Sequence, residues 1–176
     1  MSCERRKDGE SCVCETVRKI VRAQNEVARN RDCCTTSCEQ SIKQLLSPST
    51  NGNGFTTIPF ALYCKEDCEP FIGSGISRSS IGGGGMNAMK CIQTPIFRAV
   101  KFVDKDECCV QLELLVPVNM GGTVMGSCGK GKTICDFFPG KQISNLKATG
   151  VCITIDLDCF CGIVCLDPVT PLPAPQ

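Results

Sequence analysis

The sequence predicts a mainly β protein of the α+β class, an antiparallel β-sandwich with an N-terminal helical segment. Apolar residues recur every three or four positions over residues 12–31, whereas apolar and polar residues alternate along several stretches beyond residue 55. Such alternation indicates strands with one buried face, which is typical of antiparallel sheets. The chain has 176 residues, 42% of them hydrophobic, which is enough for one domain with a core.

Two helices are predicted near the start of the chain. Over residues 12–31, valine and isoleucine side chains form one stripe and arginines lie opposite, as in an amphipathic helix with a solvated basic face. A shorter helix is predicted over residues 39–46, with Thr36 and Glu39 forming a capping box at its start.

Strands are predicted over residues 55–64, 94–103, 108–118 and 151–158, and the polar residues 104–107 indicate a hairpin turn. Alternation in the last two strands assigns a core face to each. These core residues are Val110, Leu112, Leu114 and Val116 in one strand and Val151, Ile153, Ile155 and Leu157 in the other. The residues predicted to face outward are Gln111, Glu113, Cys152, Thr154, Asp156 and Asp158.

Two segments are predicted to lack regular structure. The glycine-rich residues 73–90 indicate a flexible loop, and the proline-rich end of the chain indicates an extended, disordered tail. The predicted organisation is a flexible arm over 1–11, a helical hairpin over 12–47, an antiparallel β domain over 55–166 and a Pro-rich tail over 167–176.

Residues 126–133, GSCGKGKT, match the phosphate-binding pattern G-x-x-x-x-G-K-T. A working P-loop lies between a strand and a helix, whose N-terminus holds the phosphate. Here Pro139 and Gly140 end any helix within two turns, and the flanking segments indicate an antiparallel sheet. The context favours a solvated loop and predicts that the protein is not an enzyme; a nucleotide hydrolase is the weakest alternative.

Composition excludes several function classes. Without histidine the chain has no Cys–His or Ser–His nucleophile pair. The 19 basic and 18 acidic residues are interleaved, which argues against nucleic-acid binding. No apolar run approaches the roughly 18 residues of a membrane span, and the first 15 residues contain no apolar signal core, so neither membrane insertion nor a secretory leader is expected.

The 17 cysteines are the strongest signal in the sequence. Cysteine-dense chains are normally found in oxidising compartments, which conflicts with the expectation that no leader is present. Because the number is odd, at least one thiol is unpaired, metal-bound or joined to another molecule. The neighbours in Cys33–Cys34 and Cys108–Cys109 are expected to serve different partners, since adjacent strand residues point to opposite faces. Outward-facing thiols favour bonds between subunits.

Zinc binding is the main alternative. Four-thiolate sites usually contain two C-x2-C or C-x4-C pairs, and this chain has no C-x2-C. Disulfides are therefore favoured, no cofactor or metal is predicted, and a zinc-binding interaction module remains as the alternative.

Several stretches together resemble a known family. They are SCVCETVRKIVRAQNEV, CCTTSC, TIPFALY, PIFRAVKFVDKDECCVQLELL and, most specifically, CITIDLDCFCGIVCL, spread over residues 10–168. The chain is similar in these stretches to the cysteine-rich CotY/CotZ/ExsY family of spore coat and exosporium proteins.

The resemblance implies a structural role without catalytic residues. It implies a protein made in the mother-cell cytoplasm that forms hexamers, packs into a two-dimensional lattice with other coat proteins on the spore surface, and is later locked by disulfides in the outer coat, crust or exosporium basal layer. Late oxidation would resolve the compartment conflict. The candidate disulfide or cross-linking residues are Cys3, Cys12, Cys14, Cys33, Cys34, Cys38, Cys108, Cys109, Cys152, Cys159, Cys161 and Cys165.

Overall fold

The computed structural model describes most of the chain. The described residues are 12–27, 36–47, 54–81, 86–103, 108–124, 131–138 and 142–174. They form two α-helices, α1 (Cys12–Val27) and α2 (Cys38–Leu46), and seven strands: β1 (Phe60–Cys64), β2 (Gly73–Ile81), β3 (Met86–Thr94), β4 (Ile96–Phe102), β5 (Cys109–Val118), β6 (Asn145–Asp156) and β7 (Phe160–Cys165).

The chain divides into two compact units, residues 1–35 and 36–176. The first contains α1, which confirms the predicted helix over residues 12–27; residues 28–31 lie outside the described part. The second contains α2 and all the strands. The predicted helical hairpin over 12–47 stays a prediction. No helix in the described ranges has the length and apolar character needed to cross a membrane.

The start of α2 differs from the prediction. Its N-cap is Ser37, whose hydroxyl oxygen accepts the backbone N–H of Gln40 at 3.1 Å. The predicted capping box of Thr36 and Glu39 is therefore wrong. With the N-cap one residue later than predicted, the Glu39 carboxylate pairs with Lys43 one turn further along, 2.8 Å away.

Five strands form one antiparallel sheet in the order β6-β5-β4-β1-β7. This confirms the antiparallel architecture and the pairing of β4 with β5, whose connecting residues 104–107 lie outside the described part. The order leaves β7 at one edge of the sheet.

The glycine-rich segment contains β2 and the start of β3, which pair as a hairpin, so the predicted flexible loop is wrong over residues 73–81 and 86–90; residues 82–85 lie outside the described part. Strands β2 and β3 pair antiparallel from Gly73 opposite Thr94 to Ile81 opposite Met86. A Cβ atom at Gly73 would approach Phe97 to 2.5 Å, and one at Gly75 would collide with Val151. The two glycines therefore allow the hairpin to pack closely onto the five-stranded sheet.

Part of the sheet is buried on both faces, whereas the sequence predicted one buried face. The predicted core residues of β5 are confirmed on the face toward the hairpin, packed with Leu62, Ile92 and Phe97. On the opposite face Leu115 packs with Ile96 in a second cluster. A short 3-10 helix (Ile134–Phe137) and the C-terminal segment contribute side chains to that cluster. The alternation of apolar and polar residues along the strands gives no information on what packs over this second face.

The C-terminal segment is extended as predicted, but it is held in place over residues 167–174. The Val169 N–H donates to the Thr57 carbonyl at 2.9 Å, and the Leu172 N–H donates to the Leu146 carbonyl at 2.9 Å. The Ala174 side chain packs against the second cluster. The prediction of disorder is therefore wrong for this part, because its backbone is hydrogen-bonded to Thr57, which precedes β1, and to β6.

Candidate functional site

The cysteines define the candidate site, and the described end of the phosphate-binding pattern forms a turn bound by its own aspartate. Residues 126–130 of that pattern lie outside the described part. The Asp136 carboxylate accepts the backbone N–H groups of Lys132 at 3.0 Å and Thr133 at 2.9 Å, and the Thr133 hydroxyl at 2.9 Å. These hydrogen bonds, first those from Thr133, lower the pKa of Asp136.

The described end of this pattern is thus an aspartate-capped turn. The backbone donors that would face a phosphate in a P-loop bind a carboxylate of the same chain. The helix that follows is a 3-10 helix of 4 residues, Ile134–Phe137, in place of the long α-helix that a P-loop requires.

One pair of cysteines is bonded inside the subunit. Cys38 on α2 and Cys165 at the end of β7 form a disulfide that joins positions 127 residues apart. Beside it Ser41, which is fully buried, donates its hydroxyl to the Leu166 carbonyl at 2.8 Å. Both bonds attach α2 to the strand, and the bonded state of Cys38 and Cys165 removes them from the thiols available to a second subunit.

Four other cysteines lie close together where β1 ends and β7 begins. Cys64 and Cys68 flank the turn after β1, and Cys159 and Cys161 flank Phe160 at the start of β7. The Cys161 thiol donates to the Cys64 carbonyl at 3.3 Å and lies 3.9 Å from the Cys68 sulfur. The Lys65 N–H donates to the Cys159 carbonyl at 2.9 Å.

Partial loss of hydration raises the pKa of Cys64, and the nearby Asp67 carboxylate raises it further. The pKa of Cys161 is raised by the same loss of hydration and then by its hydrogen bond with Cys68. Both thiols are therefore mostly protonated at neutral pH, which slows their reaction with electrophiles.

A second group of thiols lies on the outer face of β5 and β6. Cys152 is exposed and pairs across the sheet with Glu113, and Cys109 pairs with Asp156. The predicted outward orientation of Cys152, Thr154 and Asp156 is confirmed. Burial and then the Glu113 carboxylate raise the pKa of Cys152, while Arg98 acts in the opposite direction.

Glu113 was predicted to face outward with the polar residues, but the structure buries it. It is only 5% exposed, and its Oε2 accepts the Arg98 Nε–H at 2.7 Å while its Oε1 accepts the Gly150 N–H at 2.9 Å. A buried carboxylate requires such partners, since an unpaired charge is costly to bury. Cys152 lies opposite Glu113 on the neighbouring strand, so the ion pair with Arg98 holds the residue next to this thiol in place.

The remaining candidates have varied positions. Cys108 is half-buried beside Asp158, whose charge, more than the loss of hydration, raises the pKa of the Cys108 thiol. Cys159 and Cys161 are exposed. Outside the described side chains are Cys3, Cys12, Cys14, Cys33 and Cys34.

Sequence reasoning left three exposed cysteines out of the candidate set. They are Cys68, Cys91 and Cys135. The C-x3-C spacing of Cys64 and Cys68 was a signal for the first of them, but only the pairing of β1 with β7 brings that pair beside Cys161. Over the described residues, no group of three or more cysteines and carboxylates is arranged to hold a metal ion.

Comparison with known proteins decides the family. The model of the spore coat protein Z family matches residues 1–168. The chain belongs to this family. It is also 31% identical over 158 residues to spore coat protein Z of Bacillus subtilis (strain 168), covering 90% of each chain. No solved structure matches the chain.

Proposed function

We propose that this protein is a structural component of the spore coat that forms hexamers, packs into a two-dimensional lattice and is cross-linked by disulfides between subunits. Its place would be the outer coat, the crust or the exosporium basal layer, after synthesis in the mother-cell cytoplasm. Membership of the spore coat protein Z family supports the coarse role. The hexamer, the lattice and contacts with other coat proteins are the finer parts of the proposal.

The observation that carries the cross-linking is the number of thiols at the surface. Cys135, Cys152 and Cys159 are exposed on different elements of the same subunit. The described disulfide, Cys38–Cys165, is internal and stabilises the subunit without using these thiols. A subunit of this kind can fold first and be linked to neighbours afterwards.

The edge of the sheet supports a repeated contact between copies. On β7, Ile163 is 53% exposed and Val164 is 48% exposed. Exposed edge strands with apolar side chains tend to pair with other chains. A ring with cyclic symmetry would use one such contact per neighbour, with different surfaces on its two sides. Disulfides formed later would prevent dissociation.

The test compares three proteins after air oxidation. In the triple variant Cys135→Ser/Cys152→Ser/Cys159→Ser we expect most of the reductant-sensitive ladder on non-reducing gels to disappear. The matched control, Cys38→Ser/Cys165→Ser, removes two cysteines that are bonded to each other inside the subunit, and it should keep the ladder. Electron microscopy of the unaltered protein should then reveal rings or sheets. The proposal would be contradicted if the protein were strictly monomeric and gave the same gel pattern with and without reductant.

A further inference from the structure

The turn after β1 contains a strained cysteine. Cys68 has φ 56°, and among the described residues it is the one non-glycine residue with positive φ. A non-glycine residue in this region costs on the order of 1 kcal/mol or more and persists only where its surroundings impose it. Strained positions of this kind are concentrated at functional sites, and here the strained residue has a reactive side chain.

Hydrogen bonds impose this conformation. The Cys68 N–H donates to the Cys64 carbonyl at 3.1 Å, and the Cys64 N–H donates to the Glu69 carbonyl at 2.9 Å. The Asp67 carboxylate accepts the Glu69 N–H at 2.9 Å, which closes the turn from its other side. Because the backbone is held at these points, the Cα–Cβ bond of Cys68 is directed to one place.

That place is beside Cys161 on the edge strand. The two sulfurs are 3.9 Å apart, and the Cys161 thiol donates to the same Cys64 carbonyl that accepts the Cys68 N–H. One carbonyl group therefore orients both members of the pair. Both cysteines are exposed, so that a small oxidant can reach them. A disulfide requires the sulfurs to approach to about 2.05 Å, a movement that side-chain rotation can supply.

We propose that Cys68 and Cys161 form a redox-active pair that closes into a second disulfide within the subunit when a low-molecular-weight disulfide is the oxidant. Cys161 is mostly protonated at neutral pH, so the reaction begins in the minor fraction that has lost its proton to water. That thiolate attacks one sulfur of the oxidant, forming a mixed disulfide and releasing a small thiolate that takes up a proton. The thiolate of Cys68 then attacks the Cys161 sulfur, and the second small thiolate leaves and is protonated. Two cysteine thiols are oxidised and one small disulfide is reduced to two thiols.

The closed pair would attach the turn after β1 to the start of β7. It would also remove Cys161 from the thiols that can link subunits, leaving Cys64 and Cys159 as reduced neighbours. Because this bond lies inside one subunit, it can form whether or not subunits assemble into a lattice.

Peptide mapping tests the pairing directly. The purified full-length protein is fully reduced, then treated with oxidised glutathione, and the remaining thiols are alkylated. Trypsin cleaves at Lys65, between Cys64 and Cys68, and chymotrypsin cleaves at Phe160, between Cys159 and Cys161. We expect a linked pair of peptides containing Cys68 and Cys161. Alkylation of both residues after Cys38 and Cys165 have paired, or their linkage to other cysteines, would overturn the proposal.

Variants separate the two steps. In Cys68→Gly, glycine adopts positive φ without strain, so the turn is kept while the second thiol is lost. Cys161 should then accumulate as a stable mixed disulfide with glutathione, at least tenfold more than in the unaltered protein. Cys135→Ser, which removes a distant exposed thiol, should leave the Cys68–Cys161 link unchanged. Equal amounts of the glutathione adduct at Cys161 in Cys68→Gly and in the unaltered protein would contradict the mechanism. Stoichiometric zinc that protects Cys68 and Cys161 from alkylation would contradict it as well.

Discussion

The two ends of β7 hold cysteines in opposite states. At its last residue Cys165 is 9% exposed, lies under α2 and is bonded to Cys38. Near its start Cys161 is exposed and retains its thiol, although the two cysteines lie in the same strand only four residues apart. The difference comes from the covering element, since α2 reaches only one end. One strand therefore contributes one sulfur to subunit stability and another to surface chemistry.

The largest effect is expected at the covered end. Cys38→Ser opens a disulfide that joins residues 127 positions apart and should lower the free energy of unfolding by about 3 kcal/mol. Equilibrium urea unfolding measures this value. As the matched control, Cys135→Ser removes an exposed thiol and should change stability by less than about 0.5 kcal/mol. Equal small effects in both variants would mean that the covered end contributes no more than the open surface.

A smaller effect is expected from the hydrogen bond beside that disulfide. Ser41→Ala removes the hydroxyl that donates to the Leu166 carbonyl, and stability should fall by about 1 kcal/mol because a partly buried acceptor loses its donor. The same unfolding experiment applies. Ser144→Ala, which removes a longer bond of 3.3 Å to the Val118 carbonyl from an exposed serine, should have the smaller effect. If Ser144→Ala lowered the stability more than Ser41→Ala, the hydrogen bond from Ser41 would not be what attaches α2 to the strand.

The smallest effect is expected near the open end. The Asp158 carboxylate raises the pKa of Cys108, so that less of the thiol is ionised near neutral pH. Since the thiolate is the reactive form, Asp158→Asn should lower that pKa and speed alkylation of Cys108 at pH 8, on the order of two- to threefold. Mass spectrometry of timed samples gives the rate.

Two comparisons sharpen this result. Glu39→Gln, on α2, should leave the Cys108 rate unchanged. The acceleration by Asp158→Asn should also shrink as the pH rises through the pKa of Cys108, because both proteins are then fully ionised. An acceleration that persists at high pH would point to altered access and not to charge.

Much of the sheet was predictable from single residues. The inward positions of Leu112 and Leu114 and the outward position of Cys152 follow from a side-chain period of two. Glu113 was misassigned because the same period says nothing about what lies over the second face, where Arg98 and the Gly150 N–H neutralise and bind its carboxylate. Gly73 and Gly75 were misassigned for a similar reason. Glycine-rich composition indicates flexibility, but these two glycines pack against Phe97 and Val151 so closely that a side chain would not fit.

By itself, the sequence determined the secondary-structure type of most segments, the outward or inward direction of strand residues and, through its cysteine-rich stretches, the family. These properties depend on local periodicity and residue chemistry. Only the tertiary structure decided the state of each sulfur. Cys38 meets Cys165, and Cys68 approaches Cys161, because α2 and the turn after β1 are placed against opposite ends of β7. Such pairings join residues about a hundred positions apart in the chain, and no local pattern encodes them.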